Sequence, residues 1–232
     1  MIGVYDYTVI LTYLSMISGC VGTIIAMTGI GHPFVGALFL MISGFCDGFD
    51  GRVARSKKNR TQLEKDFGVQ IDSFSDLIAF GVLPAAIGVA MLRVSEIYTD
   101  RPFWKDNGKY EWYPILLVAI AVIYVLAGMI RLAYFNATED MRKKEAEEKG
   151  VQFYTGLPIT TASLVFPMVL ILHFYIHFDF SIVYFIVLFV MAMLYLGGFK
   201  IRKPGRTGLL IQVLIGAIEF ITIVCILLSN FV

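Results

Sequence analysis

Apolar positions in this chain do not alternate with polar ones and do not form narrow stripes. They come in blocks near twenty residues long, separated by short polar segments. Blocks of that length match the hydrocarbon thickness of a bilayer crossed by an α-helix. The pattern predicts spans at about residues 8–26, 34–48, 71–92, 114–135, 157–175, 182–198 and 209–228. The second is expected to continue as helix through Arg55, and the third to begin as helix near Leu63, with a kink at Pro84. Met1 to Tyr7 is short and amphipathic, suited to an interface. Trp104, Tyr110, Trp112 and Tyr113 suit an aromatic belt between the third and fourth spans. The segment EDMRKKEAEEK, residues 139–149, reads as a helix with a solvated face.

Composition agrees: 58% of the 232 residues are hydrophobic and the mean hydropathy is +0.76. The expected fold class is all-α, a polytopic integral membrane bundle of about seven helices, forming one domain over residues 1–232. Cys20, Cys46 and Cys225 lie far apart in apolar segments and read as small buried hydrophobes. The first cation is Arg52, so a signal peptide's basic n-region is not expected. No internal repeat is visible.

The net charge of +1 hides an asymmetry between the two sides of the bundle. One side collects Arg52, Arg55, Lys57, Lys58, Arg60, Lys65, Arg142, Lys143, Lys144, Lys149, Lys200, Arg202, Lys203 and Arg206. The other has Arg93, Arg101, Lys105 and Lys109. The positive-inside rule places the basic side in the cytoplasm of a cell membrane, with the N-terminus there and the C-terminus outside. Nucleic-acid binding does not fit, because the cations sit in short loops beside apolar spans.

The chemistry is concentrated between Cys46 and Asp76. Asp47, Asp50, Asp72 and Asp76 lie where apolar spans run into a basic loop. An unpaired carboxylate near a bilayer centre costs roughly 2.5–3.5 kcal/mol, so four demand compensation. On a helix Asp47, Gly51 and Arg55 share one face, with Asp50 and Ala54 beside it. Gly68, Asp72 and Asp76 form a second stripe on the next helix. Packed as a hairpin, the two stripes would face each other, and Gly51, Ala54 and Gly68 would let a ligand approach closely. Converging carboxylates suit hard divalent cations, Mg²⁺, Mn²⁺ or Ca²⁺. A pair of such ions is a common arrangement for displacement at phosphorus. Arg55 and Lys57 would add phosphate contacts. The alternative is a set of structural ion pairs at the helix ends.

The pattern Asp47-x-x-Asp50-Gly51-x-x-Ala54-Arg55, a twelve-residue spacer, then Gly68-x-x-x-Asp72-x-x-x-Asp76 resembles the signature of the CDP-alcohol phosphotransferases, with every fixed position matched. The resemblance implies a membrane homodimer with two metal ions, Mg²⁺ or Mn²⁺, and Ca²⁺ as a non-productive occupant. It implies transfer of a phosphatidyl-type group from a CDP-linked lipid to an alcohol, releasing CMP. Carried over by position, Asp47, Asp50, Asp72 and Asp76 would hold the metals, and Asp76 would also be the general base. Gly51, Ala54, Arg55 and Gly68 would contact the CDP moiety. Thr12 and Ser15 are the nearest matches to an Asn–Thr pattern that the family often shows in its first span, and would add a nucleotide contact.

FGVQIDSFSDLIAFGVLPA, RLAYFN at residues 131–136 and FYTGLP at 153–158 are similar to the phosphatidylserine synthase branch, with Tyr134 where that branch usually has Arg. This similarity implies CDP-diacylglycerol as donor and L-serine as acceptor. Arg131, an intramembrane arginine, would meet the serine carboxylate or a phosphate, with Asn136 and Lys65 as further contacts. Other acceptors, such as glycerol phosphate or inositol phosphate, and an ether-linked lipid giving archaetidylserine, remain open. From a different class, an ion-coupled transporter would spread its carboxylates through the bilayer's depth and usually repeat its halves.

Three features stand apart. Glu219 lies within the last span and is expected to pair with Ser, Thr or Arg. His32, His173 and His177 read as interface residues, although His173 and His177 have a metal-compatible spacing. The aromatic residues of the fifth and sixth spans read as lipid-facing surface. Gly44 and Gly48 are four apart but adjoin the aspartates, so they read as close packing there and not as a dimer seam.

Overall fold

The structure is a computed structural model, which describes residues 3–29, 32–94, 105–106, 109–110, 112–149, 153–176, 179–202 and 205–229. It is an all-α bundle of long helices: α1 (Ile10–Thr28), α2 (Pro33–Ser56), α3 (Gln62–Asp76), α4 (Leu83–Val94), α5 (Trp112–Ala137), α6 (Glu139–Lys149), α7 (Ala162–Ile176), α8 (Ser181–Leu196) and α9 (Arg206–Ser229). Six stretches among the described residues are long and apolar enough to cross a bilayer, and α8, at 16 residues, is shorter. Two short antiparallel ladders join loops: β1 (Lys105–Asp106) with β2 (Lys109–Tyr110), and β3 (Phe153–Thr155) with β4 (Lys200–Arg202).

Residues α3 and α4 are one continuous rod, joined by a π-helical turn over Leu77–Val82. The kink expected at Pro84 takes this form. Proline has no N–H to donate one turn back, so the Phe80 carbonyl is released from the helical ladder. The Tyr124 hydroxyl donates to that carbonyl at 2.6 Å, and the Tyr184 hydroxyl donates to the Pro84 carbonyl at 3.0 Å. Widened turns of this kind are frequent at functional sites, and this one starts at the residue after Asp76.

The start of α3 is fixed locally by a capping box. Glu64 N donates to Thr61 Oγ1 at 3.2 Å, and Thr61 N donates to Glu64 Oε2 at 2.7 Å. His32 caps α2, its Nδ1 accepting from Phe34 N at 3.5 Å. His173 Nδ1 accepts from Phe180 N at 3.3 Å, so this histidine shapes a turn. His177 and Trp104 lie outside the described residues.

The core is aromatic. Tyr124, Phe166, Tyr184 and Phe80 are fully buried, and Phe185 and Tyr195 nearly so. Tyr124 and Phe166 meet edge to face with ring centroids 5.5 Å apart. This corrects the expectation of a lipid-facing position for Phe166, Tyr184, Phe185 and Tyr195, whereas Tyr175 of α7 and Phe189 of α8 are exposed as expected. Hydropathy does not separate the two environments, because lipid and bundle interior are equally apolar. Cys46 is buried but Cys225 is exposed, so the expectation of buried cysteines fails at Cys225, on the outward face of α9.

Helices approach closely where small residues meet. A Cβ at Gly22 would lie 2.8 Å from Phe39 Cβ, and one at Gly44 would lie 2.5 Å from Ser163 Oγ. Gly44 thus seats α7 against α2 one turn before Asp47, whereas Gly48 has open space beside it.

Candidate active site

Three helices position the acidic residues. α1 and α2 are clasped by reciprocal hydrogen bonds: Ser15 Oγ donates to the Ser43 carbonyl at 3.3 Å, and Ser43 Oγ donates to the Ser15 carbonyl at 3.0 Å. Ser18 Oγ adds a bond to the Phe39 carbonyl at 2.8 Å. Ser75 Oγ, on α3, donates to the Thr12 carbonyl at 3.2 Å. These bonds fix the depth of α1, α2 and α3 relative to one another. Ser15 is 1% exposed, and its hydroxyl donates within this clasp.

The clasp brings the two carboxylate stripes together. Carboxylate oxygens of Asp47, Asp50 and Asp72 lie within 4.8 Å of one another. Asp76 lies one turn further along α3, with its carboxyl in hydrogen-bonding reach of Asp47, as Asp72 is of Asp50. Asp50 and Asp76 are buried, while Asp47 and Asp72 are half-buried. Neighbouring carboxylates at such separations repel, and a shared cation relieves that repulsion. The donor set is oxygen throughout, which fits a hard divalent ion such as Mg²⁺ or Mn²⁺.

Polar neighbours surround the cluster. Thr12 Oγ1 donates to Asp50 Oδ2 at 3.0 Å. Arg131, buried in α5, interacts electrostatically with Asp47, and its Nε donates to the Leu157 carbonyl at 2.6 Å. Its guanidinium carbon lies 5.3 Å from the Phe135 ring centroid, and that of Arg142 lies 3.4 Å from it. Asn136 Nδ2 donates to Ser73 Oγ at 2.7 Å, beside Asp72. Arg55 reaches back over Gly51, its Nη1 3.3 Å from where a Cβ would sit. Ala54 is half-buried beside it, and Lys65 is exposed.

Lys57 behaves differently from the expected phosphate contact. Its Nζ pairs with Asp6 at 2.7 Å and Glu64 at 2.6 Å. The Lys57 ammonium holds the Asp6 carboxyl at a pKa of about 2, below its usual 3.8, and the two carboxylates push the lysine upward. The N-terminal segment is thereby tied to the loop that follows α2.

A buried polar chain runs behind the site. The Tyr124 hydroxyl, bound to the Phe80 carbonyl, lies 3.2 Å from the Tyr195 hydroxyl, which donates to the Ile159 carbonyl at 3.1 Å. It connects the turn after Asp76 to the Leu157–Ile159 segment that anchors Arg131. Nothing in the sequence pattern indicated this chain; only the absent N–H of Pro84 hinted that the Phe80 carbonyl needed a partner. The capping box was legible as Thr61-x-x-Glu64.

Glu219 is 7% exposed and its Oε2 has no hydrogen-bond partner among the described residues, contrary to the pairing expected of it. In α6 the solvated-face reading holds only partly. Glu145 pairs with Lys200, and Arg142 donates to the Phe135 carbonyl at 2.6 Å.

The sequence profile of a family described as CDP-alcohol phosphatidyltransferase matches residues 8–196. The chain is 33% identical over 165 residues to a Saccharomyces cerevisiae protein named CDP-diacylglycerol–serine O-phosphatidyltransferase, covering 67% of this chain and 51% of that one. Proteins of the same name from Helicobacter pylori and Bacillus subtilis are 29% and 28% identical. The first match covers 63% of this chain and 51% of the relative, the second 55% of each. The chain spans about half the length of these relatives. No solved structure matches significantly.

Proposed function

The chain belongs to the CDP-alcohol phosphatidyltransferase family, and we propose that it transfers the phosphatidyl group of CDP-diacylglycerol to the hydroxyl of L-serine, releasing CMP. The observation that carries this reading is the convergence of Asp47, Asp50 and Asp72, with Asp76 one turn further on, in one carboxylate cluster beside Arg131. The names of the relatives support serine as the acceptor.

In this reading Asp47, Asp50, Asp72 and Asp76 hold two divalent cations, Mg²⁺ or Mn²⁺, which supply charge neutralisation at the phosphoryl oxygens. Gly51, Ala54, Arg55 and Gly68 border the nucleotide. Asp76 accepts the proton of the serine hydroxyl. The serine oxygen forms a bond to the lipid-linked phosphorus as the bond from that phosphorus to the CMP oxygen breaks. The proton stays on Asp76 and CMP leaves as the anion. Thr12 orients Asp50, while Arg131 and Asn136 receive the serine. Lys65, exposed on α3, meets phosphate from the solvent side. The enzyme works as a homodimer in a cell membrane, with its aspartates at the cytoplasmic face beside the basic loops.

The test is CMP release by purified protein given CDP-diacylglycerol, Mn²⁺ or Mg²⁺, and L-serine, glycerol 3-phosphate or inositol 1-phosphate. Serine-dependent release, lost with EDTA and in Asp76→Asn, is expected. Release with another acceptor alone overturns the serine assignment. Release only from an ether-linked CDP-lipid reassigns the donor to archaetidyl chemistry.

A further inference from the structure

We propose that Arg60, which lies between α2 and α3 in the spacer of the aspartate signature, is a phosphate-binding residue of the same site and contacts the pyrophosphate of the nucleotide-linked donor. The identity of that anion rests on the function proposed above. The guanidinium itself is placed by three observations.

First, one arm is anchored. Arg60 Nη2 donates to the Glu64 carbonyl at 3.0 Å, in the first turn of α3. Second, the Arg60 Nε is buried and has no hydrogen-bond partner among the described residues. A guanidinium carries five donors and cannot shed its charge, so an enclosed, unpaired N–H points to an absent acceptor. The carboxylate of Glu64, whose carbonyl Arg60 holds, is engaged elsewhere: it takes Lys57 Nζ and Thr61 N. Third, the guanidinium lies on Gly68. A Cβ there would come 2.8 Å from Nη2. Gly68 begins the helical stripe that continues through Asp72 to Asp76, so the cation sits at the solvent end of the carboxylate row.

Arg55 stands over Gly51 in the corresponding way on α2. Each carboxylate stripe of the hairpin therefore carries a glycine covered by a guanidinium at its solvent end. Lys57, between them in sequence, is neutralised by Asp6 and Glu64 and does not compete. A planar fork with a buried donor suits the paired oxygens of a phosphate better than an ammonium does. The diester pyrophosphate of a CDP-lipid offers such oxygens on two adjacent phosphorus atoms.

The experiment is calorimetric titration of the full chain in detergent with CDP and with CMP, both in Mn²⁺, alongside thermal unfolding. Arg60→Gln is expected to weaken CDP binding about tenfold and CMP binding less, with an unchanged midpoint of unfolding. Arg60→Lys, which keeps the charge but loses the fork, should fall between. If Arg60→Gln does not fold, Arg60→Lys decides: weaker CDP binding supports the assignment and unchanged binding overturns it. CDP affinity within about twofold of the parent in both variants likewise overturns it. A parent protein that neither binds CDP nor releases CMP contradicts the proposed function itself. A parent that does both while the Arg60 variants match it contradicts only this inference.

Discussion

Thr12 Oγ1 donates to Asp50 Oδ2 at 3.0 Å, joining the first turn of α1 to the acidic row of α2. The bond orients one carboxylate of a repelling cluster from a helix that carries none of the signature. A hydrogen bond to a charged group is worth about 1.5–3 kcal/mol. Thr12→Val keeps the shape and removes the donor, so CMP release should fall at least about tenfold. Thr12→Ser should retain most of it. Equal rates for Thr12→Val and the parent in a CMP-release assay would remove Thr12 from the site.

The two rows should fail differently. Asp76→Asn removes the proposed base and should lower CMP release by about 10²–10⁴. It should weaken Mn²⁺ binding less than Asp72→Asn does, because Asp47, Asp50 and Asp72 still converge. Asp72→Asn should weaken Mn²⁺ binding itself, read by titration of the metal alone. Similar metal affinities in the two variants would contradict this division of roles.

Chelation should abolish CMP release, and Mn²⁺ or Mg²⁺ should restore it. The chelated protein should also unfold at a lower temperature, since a cation that relieves the clustered charge binds the folded chain alone. A chelated sample with undiminished turnover would sink the metal assignment.

Tyr124→Phe leaves the Phe80 carbonyl without the partner that replaces the missing Pro84 N–H. An unsatisfied buried acceptor costs about 1–3 kcal/mol. Thermal unfolding should shift downward accordingly. Tyr195→Phe should cost less, because the Tyr124 hydroxyl can still donate to Phe80. The reverse order of the two would mean that the chain is anchored at Ile159 instead.

The tie between Asp6 and Lys57 should respond to acid. The folded pKa of Asp6 is depressed to about 2 from 3.8. Its contribution is therefore complete above 3.8 and disappears as pH falls through about 2. Amide exchange at Thr8, whose N–H donates to Asp6 Oδ1 at 2.9 Å, should accelerate over that window beyond the intrinsic rate. In Asp6→Asn the acceleration should be absent. A parent protein with no such acceleration would show that the tie does not hold the segment.

Much of the site could be read before any fold was known. Asp47 and Asp50 on one helix, Asp72 and Asp76 on the next, and the small residues beside them follow from helical spacing alone. Other assignments needed contacts between distant segments. The reciprocal bonds between Ser15 and Ser43 join two helices and have no local sequence signal. Lys57 looked like a phosphate contact and is held by Asp6, fifty-one positions away. Arg60 drew notice only as one charge among several in a basic loop.

The sequence by itself determined the helical spans, the family and the two carboxylate stripes, because these depend on local periodicity and on lengths matched to a bilayer. Tertiary structure decided which polar groups meet and which aromatic faces turn inward. Hydropathy cannot make that choice in a membrane protein, where lipid and core are both apolar. Tyr124, Phe166 and Tyr184 are buried, and Leu210, Leu214 and Ile218 exposed, although all occupy equally apolar helices. What distinguishes them is the fit of small residues such as Gly44 against α7 and the demand of the Phe80 carbonyl for a donor. Both exist only once the helices are packed.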